Sequence, residues 1–291
     1  MFLKSCVRFS VIGSLGLVVG LNVALSSLAQ AEQIDIRDNR ISAKYLIHLS
    51  GIPIGKFFFK SNFQDRDYKL TGTVKLSAAL KIILKWKGST SATGTLTSRG
   101  PDPESFSYEF RARKKVRKVD LKFEPGTEQK FSVTPPLKTR KRVPVSADQV
   151  AGALDPLSGL ILLSARRGNF PNRKVCDQNL PIFDGKERYD LKLSYKKSAR
   201  IELVGKKTRF DGRAYVCSVE YVAISGHKRK DEMVKQLNQE KGIELWLVPE
   251  PKSEMYIPAL IRIPTPYGVA TVKTQIFRVD TPGQSRVSFL R

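Results

Sequence analysis

The chain has 291 residues, with 51 Lys and Arg against 27 Asp and Glu, and a formal net charge of +24 at pH 7. This excess of positive charge disfavours cationic partners and favours anionic ones. A chain of this length buries most of its unfolded surface on folding, so no metal or disulfide scaffold is required.

The N-terminal segment has the layout of an export signal. A positively charged start precedes an apolar run over residues 11–28, which ends in the small-x-small pattern Ala29-Gln30-Ala31. This pattern predicts a signal peptide over residues 1–31, cleaved after Ala31. The alternative is an uncleaved anchor helix, but the run is near the lower length limit for crossing a bilayer and contains several glycines.

Residues 32–291 are therefore expected to form a periplasmic protein with no further transmembrane segment. Outside the inner membrane, the anionic surfaces are phospholipid headgroups, lipopolysaccharide phosphates and cell-wall polymers. We expect anionic envelope components or envelope proteins as partners, and no nucleic acid. The alternative is that the positive charge only keeps the protein in solution.

Two cysteines, Cys176 and Cys217, remain after the predicted cleavage. In an oxidising compartment two cysteines in one domain are expected to pair. In the chain-entropy model such a bond stabilises the fold by about 4 kcal/mol. A redox or metal-binding role lacks the C-x-x-C spacing that it requires.

Apolar and polar residues alternate with period two over much of the chain, which predicts strands. The predicted strands cover residues 68–76, 106–111, 189–195, 215–221, 242–248, 255–263 and 267–279. Strands that bury one face and expose the other are typical of antiparallel sheets. Asp184-Gly185 and Asp211-Gly212 are predicted hairpin turns, because tight turns need residues that tolerate positive φ.

Two segments have helical spacing instead. Leu80, Ile83 and Leu84 follow an i, i+3, i+4 pattern, which predicts a short amphipathic helix over Ser77–Lys87. Asp155-Pro156 is predicted to open a second helix that ends at Gly168, since Asp is a good N-cap and Pro suits the first helical position.

These elements predict a mainly β fold with two short helices. We expect one curved, mostly antiparallel sheet that resembles an open half-barrel or β-spiral. A connection rich in Pro and Lys, at about residues 125–146, separates an N-terminal from a C-terminal β half and is expected to be poorly ordered. A single domain over residues 32–291 is the main prediction, and two small domains are the alternative.

Several short motifs resemble one family of exported bacterial proteins. They are Gly-Ile-Pro-Ile-Gly within residues 43–59, Asp155-Pro156-Leu157-Ser158, the stretch over residues 183–189, the strand around Trp246 and the hairpin over residues 258–277. The family is catalogued as domain of unknown function three thousand one hundred and eight (DUF3108). The resemblance implies an envelope protein of Gram-negative bacteria, with no established activity or catalytic residues to carry over. Its architecture is similar to that of periplasmic lipoprotein carriers, at the level of fold alone.

An apolar cavity is the first candidate site. Three consecutive phenylalanines at residues 57–59 give both sheet faces a ring, and a second apolar segment follows at residues 82–86. If the sheet stays open, its concave face and that segment would line a cavity. The candidate lining residues are Phe57, Phe59, Ile83, Leu84 and Trp86. The alternative is a filled core.

A basic stretch is the second candidate site. Its residues are Arg111, Arg113, Lys114, Lys115, Arg117 and Lys118. Each cation close to an anionic membrane contributes about 1 kcal/mol, so such a cluster would dock on anionic surfaces. The alternative is an ordinary solvated face.

The sequence contains no pattern for catalysis or metal binding. There is no nucleophile elbow, and the two histidines, His48 and His227, belong to no cluster with ligand spacing. We therefore expect no catalytic residues, no metal and no cofactor. The leading hypothesis is a non-enzymatic envelope protein that binds a lipid or lipoprotein. A structural or interaction scaffold with a solid core is the alternative, and an envelope hydrolase is the second alternative.

Overall fold

A computed structural model describes residues 39–77, 80, 86–112, 115–123, 130–165, 169–204, 209–239, 242–280 and 287–290. The predicted signal peptide lies outside the described residues. Residues Ala31–Arg291 form one compact unit. Among the described residues, no helix has the length and apolar character needed to cross a membrane.

Strands dominate the described chain. The N-terminal half contains β1 Arg40–Leu49, β2 Ile52–Gln64, β3 Asp67–Leu76, β4 Trp86–Thr97, β5 Gly100–Ala112, β6 Lys115–Lys122 and β7 Lys130–Thr134. The C-terminal half contains β8 Gln178–Phe183, β9 Arg188–Val204, β10 Arg209–Ser225, β11 Ile243–Glu250, β12 Met255–Thr265, β13 Gly268–Asp280 and β14 Val287–Leu290. The helices are α1 Ala147–Val150, α2 Ser158–Ser164 and α3 Glu232–Gln239, with 3₁₀ turns at Thr139–Lys141 and Arg173–Cys176.

The strands form one antiparallel sheet in the order β7-β6-β5-β4-β3-β2-β1-β13-β12-β11-β10-β9-β8. Strands from the two ends of the chain meet at the centre of the sheet, because β1 pairs with β13. β14 adds to the part of β13 that extends beyond β12. Over the described ranges the sheet does not close into a barrel, so the predicted fold class, a mainly β open curved sheet, is confirmed, and the described residues include three short helices.

The free edge of β8 is partly covered. The Leu154 N–H donates to the carbonyl of Pro181 at 2.7 Å, and the Phe183 N–H donates to the carbonyl of Leu154 at 2.8 Å. Phe131 of β7 packs edge-to-face on Phe183, with ring centroids 5.6 Å apart. Side chains thus bring the two edge strands together, and no backbone ladder joins them within the described ranges.

Local predictions met different outcomes. Asp184 does make a turn, since its Oδ1 accepts from the backbone N–H groups of Lys186 and Glu187 at 2.8 and 2.7 Å. The predicted turn at Asp211-Gly212 is wrong. Both residues lie inside β10, where Asp211 stands opposite Glu202 of β9 and forms an ion pair with Arg200.

The predicted helices also differ from each other in outcome. The second is confirmed as α2, and the Oδ1 of Asp155 accepts from the N–H groups of Leu157 and Ser158 at 2.9 and 3.0 Å. Most of the first, Ser77–Lys87, lies outside the described residues, while Trp86 and Lys87 belong to β4. α3 was not predicted. The connection at residues 125–146 includes an edge strand, β7, which pairs with β6.

Helix α2 lies between two groups of buried side chains. Leu157, the residue before the helix, and Ile161 within it belong to a group drawn mainly from the inner faces of β1–β6, β12 and β13, which we call the cavity cluster. Leu162 and Leu163 of the helix belong to a group around Cys176 and Cys217, drawn from β8–β12, which we call the disulfide cluster. The helix is therefore an internal element that the sheet curves around.

Candidate apolar-ligand site

The inner face of the N-terminal strands is built by register. Tyr45 of β1 stands opposite Phe57 of β2, and Phe57 stands opposite Val74 of β3. Partners in an antiparallel ladder project to the same face. The rings of Tyr45 and Phe57 lie 6.1 Å apart. A Cβ on Gly72 would come within 2.6 Å of the Phe57 ring, so this glycine makes room for the ring over β3.

A cavity lies between this inner face and α2. Its volume is about 80 Å³, and it is open to solvent on one side. The sheet side of the wall includes Phe57, Phe59 and Val272, and α2 contributes Leu160 and Ile161. The other lining residues are Ile41, Tyr45, Ser61, Phe63, Leu70, Ser164, Met255, Pro258, Ile261 and Phe277. The wall is almost wholly apolar.

Ser61 is the polar exception that stands out. It is only 5% exposed, and its Oγ has no hydrogen-bond partner among the described residues. Tyr45, which also lines the cavity, already forms a hydrogen bond with Thr274, and burial raises the pKa of its phenol. A buried hydroxyl without a partner costs about 1–3 kcal/mol. Ser61 therefore offers a hydrogen bond that the protein itself does not use.

A buried polar network holds the start of α2. The Ser158 hydroxyl donates to a carboxylate oxygen of Asp155, and it shares a 2.8 Å hydrogen bond with the Tyr68 hydroxyl of β3. Burial raises the pKa of Asp155, while hydrogen bonds from Ser158 and the Leu157 N–H oppose that rise. The network ties the helix to the sheet. Neither Asp155 nor His48 is among the lining residues of the cavity.

The structure places the predicted cavity residues in different positions. Phe57 and Phe59 line the cavity. Trp86 is half-buried and packs edge-to-face on Phe110, with centroids 4.9 Å apart, away from the cavity lining. Ile83 and Leu84 lie outside the described residues. Sequence reasoning predicted α2 and most of β12 and β13 but did not place them in the cavity wall, because alternation reveals an inner face but not which inner faces meet.

The described members of the basic stretch lie on two faces. Lys115 and Arg117 stand opposite Ala112 and Phe110, and so share the face of Phe106 and Tyr108. Arg111 and Lys118 lie on the other face, where Arg111 pairs with Glu109, and Lys118 lies 2.9 Å from Asp120. Arg113 and Lys114 are outside the described residues. The stretch therefore does not present one continuous cationic surface.

Cys176 and Cys217 form a disulfide, as predicted, with Cα atoms 5.3 Å apart. Both residues are fully buried in the disulfide cluster. Over the described ranges, no three His, Cys, Asp or Glu side chains come together in a way that would hold a metal ion. The Nδ1 of His227 is buried and has no hydrogen-bond partner among the described residues. His227 is not one of the residues that line the cavity.

The fold and cavity define a class of protein: an open antiparallel sheet that curves around an internal helix and leaves an apolar hollow beside it. The chain belongs to the family described as "Protein of unknown function (DUF3108)", whose model matches residues 44–275. This confirms the resemblance found in the motifs.

Among curated proteins, none matches this sequence. One solved structure that is similar is the crystal structure of a β-barrel-like protein of domain of unknown function DUF1849 from Brucella abortus. The TM-score is 0.44 at 10% identity, and the match covers 85% of this chain and 99% of that chain.

Proposed function

We propose that this protein is an exported, non-enzymatic envelope protein that binds an acyl chain of a lipid or lipoprotein. The observation that carries the proposal is the apolar cavity between α2 and the inner face of the sheet. A concave, largely apolar site with few polar groups is typical of sites for small amphipathic molecules. The N-terminal sequence pattern supports a location in the envelope, where acyl chains are abundant.

The size of the cavity limits what enters it. A dry cavity of about 150 Å³ holds a benzene molecule, so a cavity of about 80 Å³ takes only one end of a chain. The rest of the chain then lies outside the cavity. The ligand is therefore only partly enclosed, which suits a chain that remains attached to a larger lipid or lipoprotein.

Ser61 supports an amphipathic rather than a purely apolar ligand. Its unused hydroxyl would hydrogen-bond a carboxyl or ester oxygen, while the chain lies along Phe57 and Phe59. Pairing a buried polar group that is otherwise unsatisfied makes such a contact favourable. The same pairing discriminates against plain hydrocarbons.

The test is displacement of a fluorescent fatty acid from the purified compact unit Ala31–Arg291, with mass spectrometry of its organic extract. Phe59→Trp places a larger ring in the cavity and is expected to weaken binding at least tenfold. Phe58→Trp is the matched control. Phe58 directly precedes Phe59 on β2 and lies on the opposite face of the sheet, beside Lys44 and Lys75.

Binding should survive in the control variant, and both variants should keep the circular dichroism spectrum of the parent protein. An empty extract together with no binding of the fluorescent fatty acid would overturn the proposal. Equal loss of binding in both variants would show that the fatty acid does not occupy this cavity.

A further inference from the structure

We propose that one end of the outer sheet face is a docking surface for anionic phospholipid membranes. The surface consists of a row of cations across β2–β5 and an adjoining apolar tip formed by two turns. It lies on the face opposite the cavity, so the inference does not depend on the proposed acyl-chain site.

The cationic row follows from the register of four strands. Lys56 of β2 stands opposite Lys75 of β3, Lys75 stands opposite Lys87 of β4, and Lys87 stands opposite Arg111 of β5. Partners in adjacent antiparallel strands have Cβ atoms about 5 Å apart on one face. All four side chains are exposed. They therefore form a continuous line of positive charge, which we call the cationic row.

Like charges directly opposite each other destabilise a sheet. Arg111 is neutralised by Glu109. Within the described residues, the three lysines of the cationic row have no ion-pair partner of their own, and Lys75 only approaches the ring of Phe58, with Nζ 5.3 Å from its centroid. Lys87 shares the carboxylate of Glu109 with Arg111, whereas Lys56 and Lys75 have no carboxylate partner within the described residues. Cations held in register without an ion pair of their own indicate a surface for an external anion, because the sheet gains nothing from their repulsion.

The apolar tip lies at the same end of the strands. The turn between β1 and β2 contacts the turn between β12 and β13, since the Ser50 N–H donates to the carbonyl of Val269 at 2.9 Å. Ile52 is 65% exposed and Tyr267 is 79% exposed. Exposed aliphatic and tyrosine side chains on turns insert at the membrane interface, where an aromatic ring meets the headgroups.

The spacing between tip and row matches a membrane surface. Ile52 and Lys56 are four residues apart on β2, which corresponds to roughly 13 Å along an extended strand. Because this distance exceeds the Debye length of about 8 Å at physiological ionic strength, docking requires the outer face to turn toward the bilayer, which brings the cationic row and the tip to the anionic surface together.

The experiment is co-sedimentation of the compact unit Ala31–Arg291 with vesicles of phosphatidylcholine, with and without phosphatidylglycerol. All described strands and the disulfide lie within that unit. We expect binding only to vesicles that contain phosphatidylglycerol, and we expect added salt to weaken it. The combined substitution Lys56→Gln, Lys75→Gln and Lys87→Gln should weaken binding about a hundredfold, since each cation contributes about 1 kcal/mol.

The matched control removes the same charge elsewhere, through Lys174→Gln, Lys197→Gln and Lys252→Gln, all at exposed positions. It should bind nearly as well as the parent protein. A second pair tests the tip: Tyr267→Ser should weaken binding several-fold, while Val204→Ser, at another exposed apolar residue, should not.

Equal losses in the two triple variants would overturn the inference, because net charge alone would then explain binding. Binding to single-stranded DNA but not to vesicles would overturn it in favour of a nucleic-acid surface. The triple variant should still bind the fluorescent fatty acid, so failure of the docking surface and failure of the cavity proposal are distinguishable.

Discussion

The two buried clusters on either side of α2 differ in how completely they are packed. The disulfide cluster contains fully buried Leu247 and Tyr256, and a covalent bond ties the Arg173–Cys176 turn to β10. The cavity cluster shares the same helix but leaves a hollow beside Leu160, with an unpaired hydroxyl at Ser61. The disulfide cluster is thus cross-linked, and the cavity cluster keeps free space beside α2.

This difference suggests a division of roles within one fold. A protein that binds a flexible chain benefits from a rigid frame, because the site then loses little freedom when the ligand enters. The disulfide cluster provides that frame and fixes α2 from behind. The cavity cluster can then remain incompletely packed without loss of the native structure.

The largest expected effect comes from removing the cross-link. Replacing Cys176→Ser and Cys217→Ser together opens a loop between residues 41 apart, and the free energy of unfolding should fall by about 4 kcal/mol. Urea denaturation followed by circular dichroism measures this change. Fatty-acid binding in the absence of urea should persist, because neither cysteine lines the cavity. A loss of stability below about 1 kcal/mol would contradict the frame described above.

The same enlargement on both sides tests the difference in packing directly. Leu247→Phe overpacks a filled region and should lower the free energy of unfolding by about 1–3 kcal/mol. Leu160→Phe projects into free space and should cost less than about 1 kcal/mol. Chemical denaturation of both variants gives the comparison. Equal costs would mean that the hollow does not tolerate extra volume.

Asp155, at the boundary between the clusters, makes stability depend on pH. Burial raises the pKa of Asp155 above its ordinary value of 3.8, so its contribution is present below that value and is lost as pH rises through the folded pKa. The Asp155→Asn variant stays uncharged. Its free energy of unfolding should therefore gain on the parent protein by up to about 1.4 kcal/mol per pH unit above pH 4.

Urea titrations at a series of pH values measure this slope, and Asp211→Asn is its control. The exposed ion pair with Arg200 lowers the pKa of Asp211, so its stabilising contribution is present at neutral pH and is lost as pH falls. The two variants should thus diverge from the parent in opposite directions. Parallel pH profiles for Asp155→Asn and the parent protein would show that burial does not perturb the carboxyl.

The smallest expected change is an increase in stability. Ser61→Ala removes a buried hydroxyl without a partner and should raise the free energy of unfolding by about 1 kcal/mol. It should also weaken binding of the fluorescent fatty acid. Ser225→Ala removes a second unpaired, fully buried hydroxyl that lies outside the cavity, so it should stabilise the protein without affecting the ligand.

Much of the fold was predictable because it depends on local patterns. Period-two alternation identified seven of the 14 described strands. The roles of Asp155 at the start of α2 and of Asp184 in a turn were recognisable from residue type and position. The turn predicted at Asp211-Gly212 does not form, because both residues lie within the paired region of two 17-residue strands, β9 and β10. There, Arg200 pairs with Asp211, and the absence of a side chain at Gly212 leaves room for the ring of Phe210.

The candidate sites were less predictable because they depend on contacts between distant parts of the chain. Phe57 and Phe59 were recognisable as apolar wall residues, but Leu160 reaches them only because α2 lies inside the curve. The cationic row is scattered over residues 56–111 of the sequence. It becomes a row only when four strands adopt one register, and alternation does not specify register between strands.

The open ends of the sheet carry a consequence for self-association. Pro181 directs its carbonyl toward Leu154, so its ring nitrogen, which has no hydrogen to donate, faces the same free edge of β8. An incoming strand would find one donor missing and two positions already occupied by Leu154. This edge is therefore a poor template for the addition of another strand.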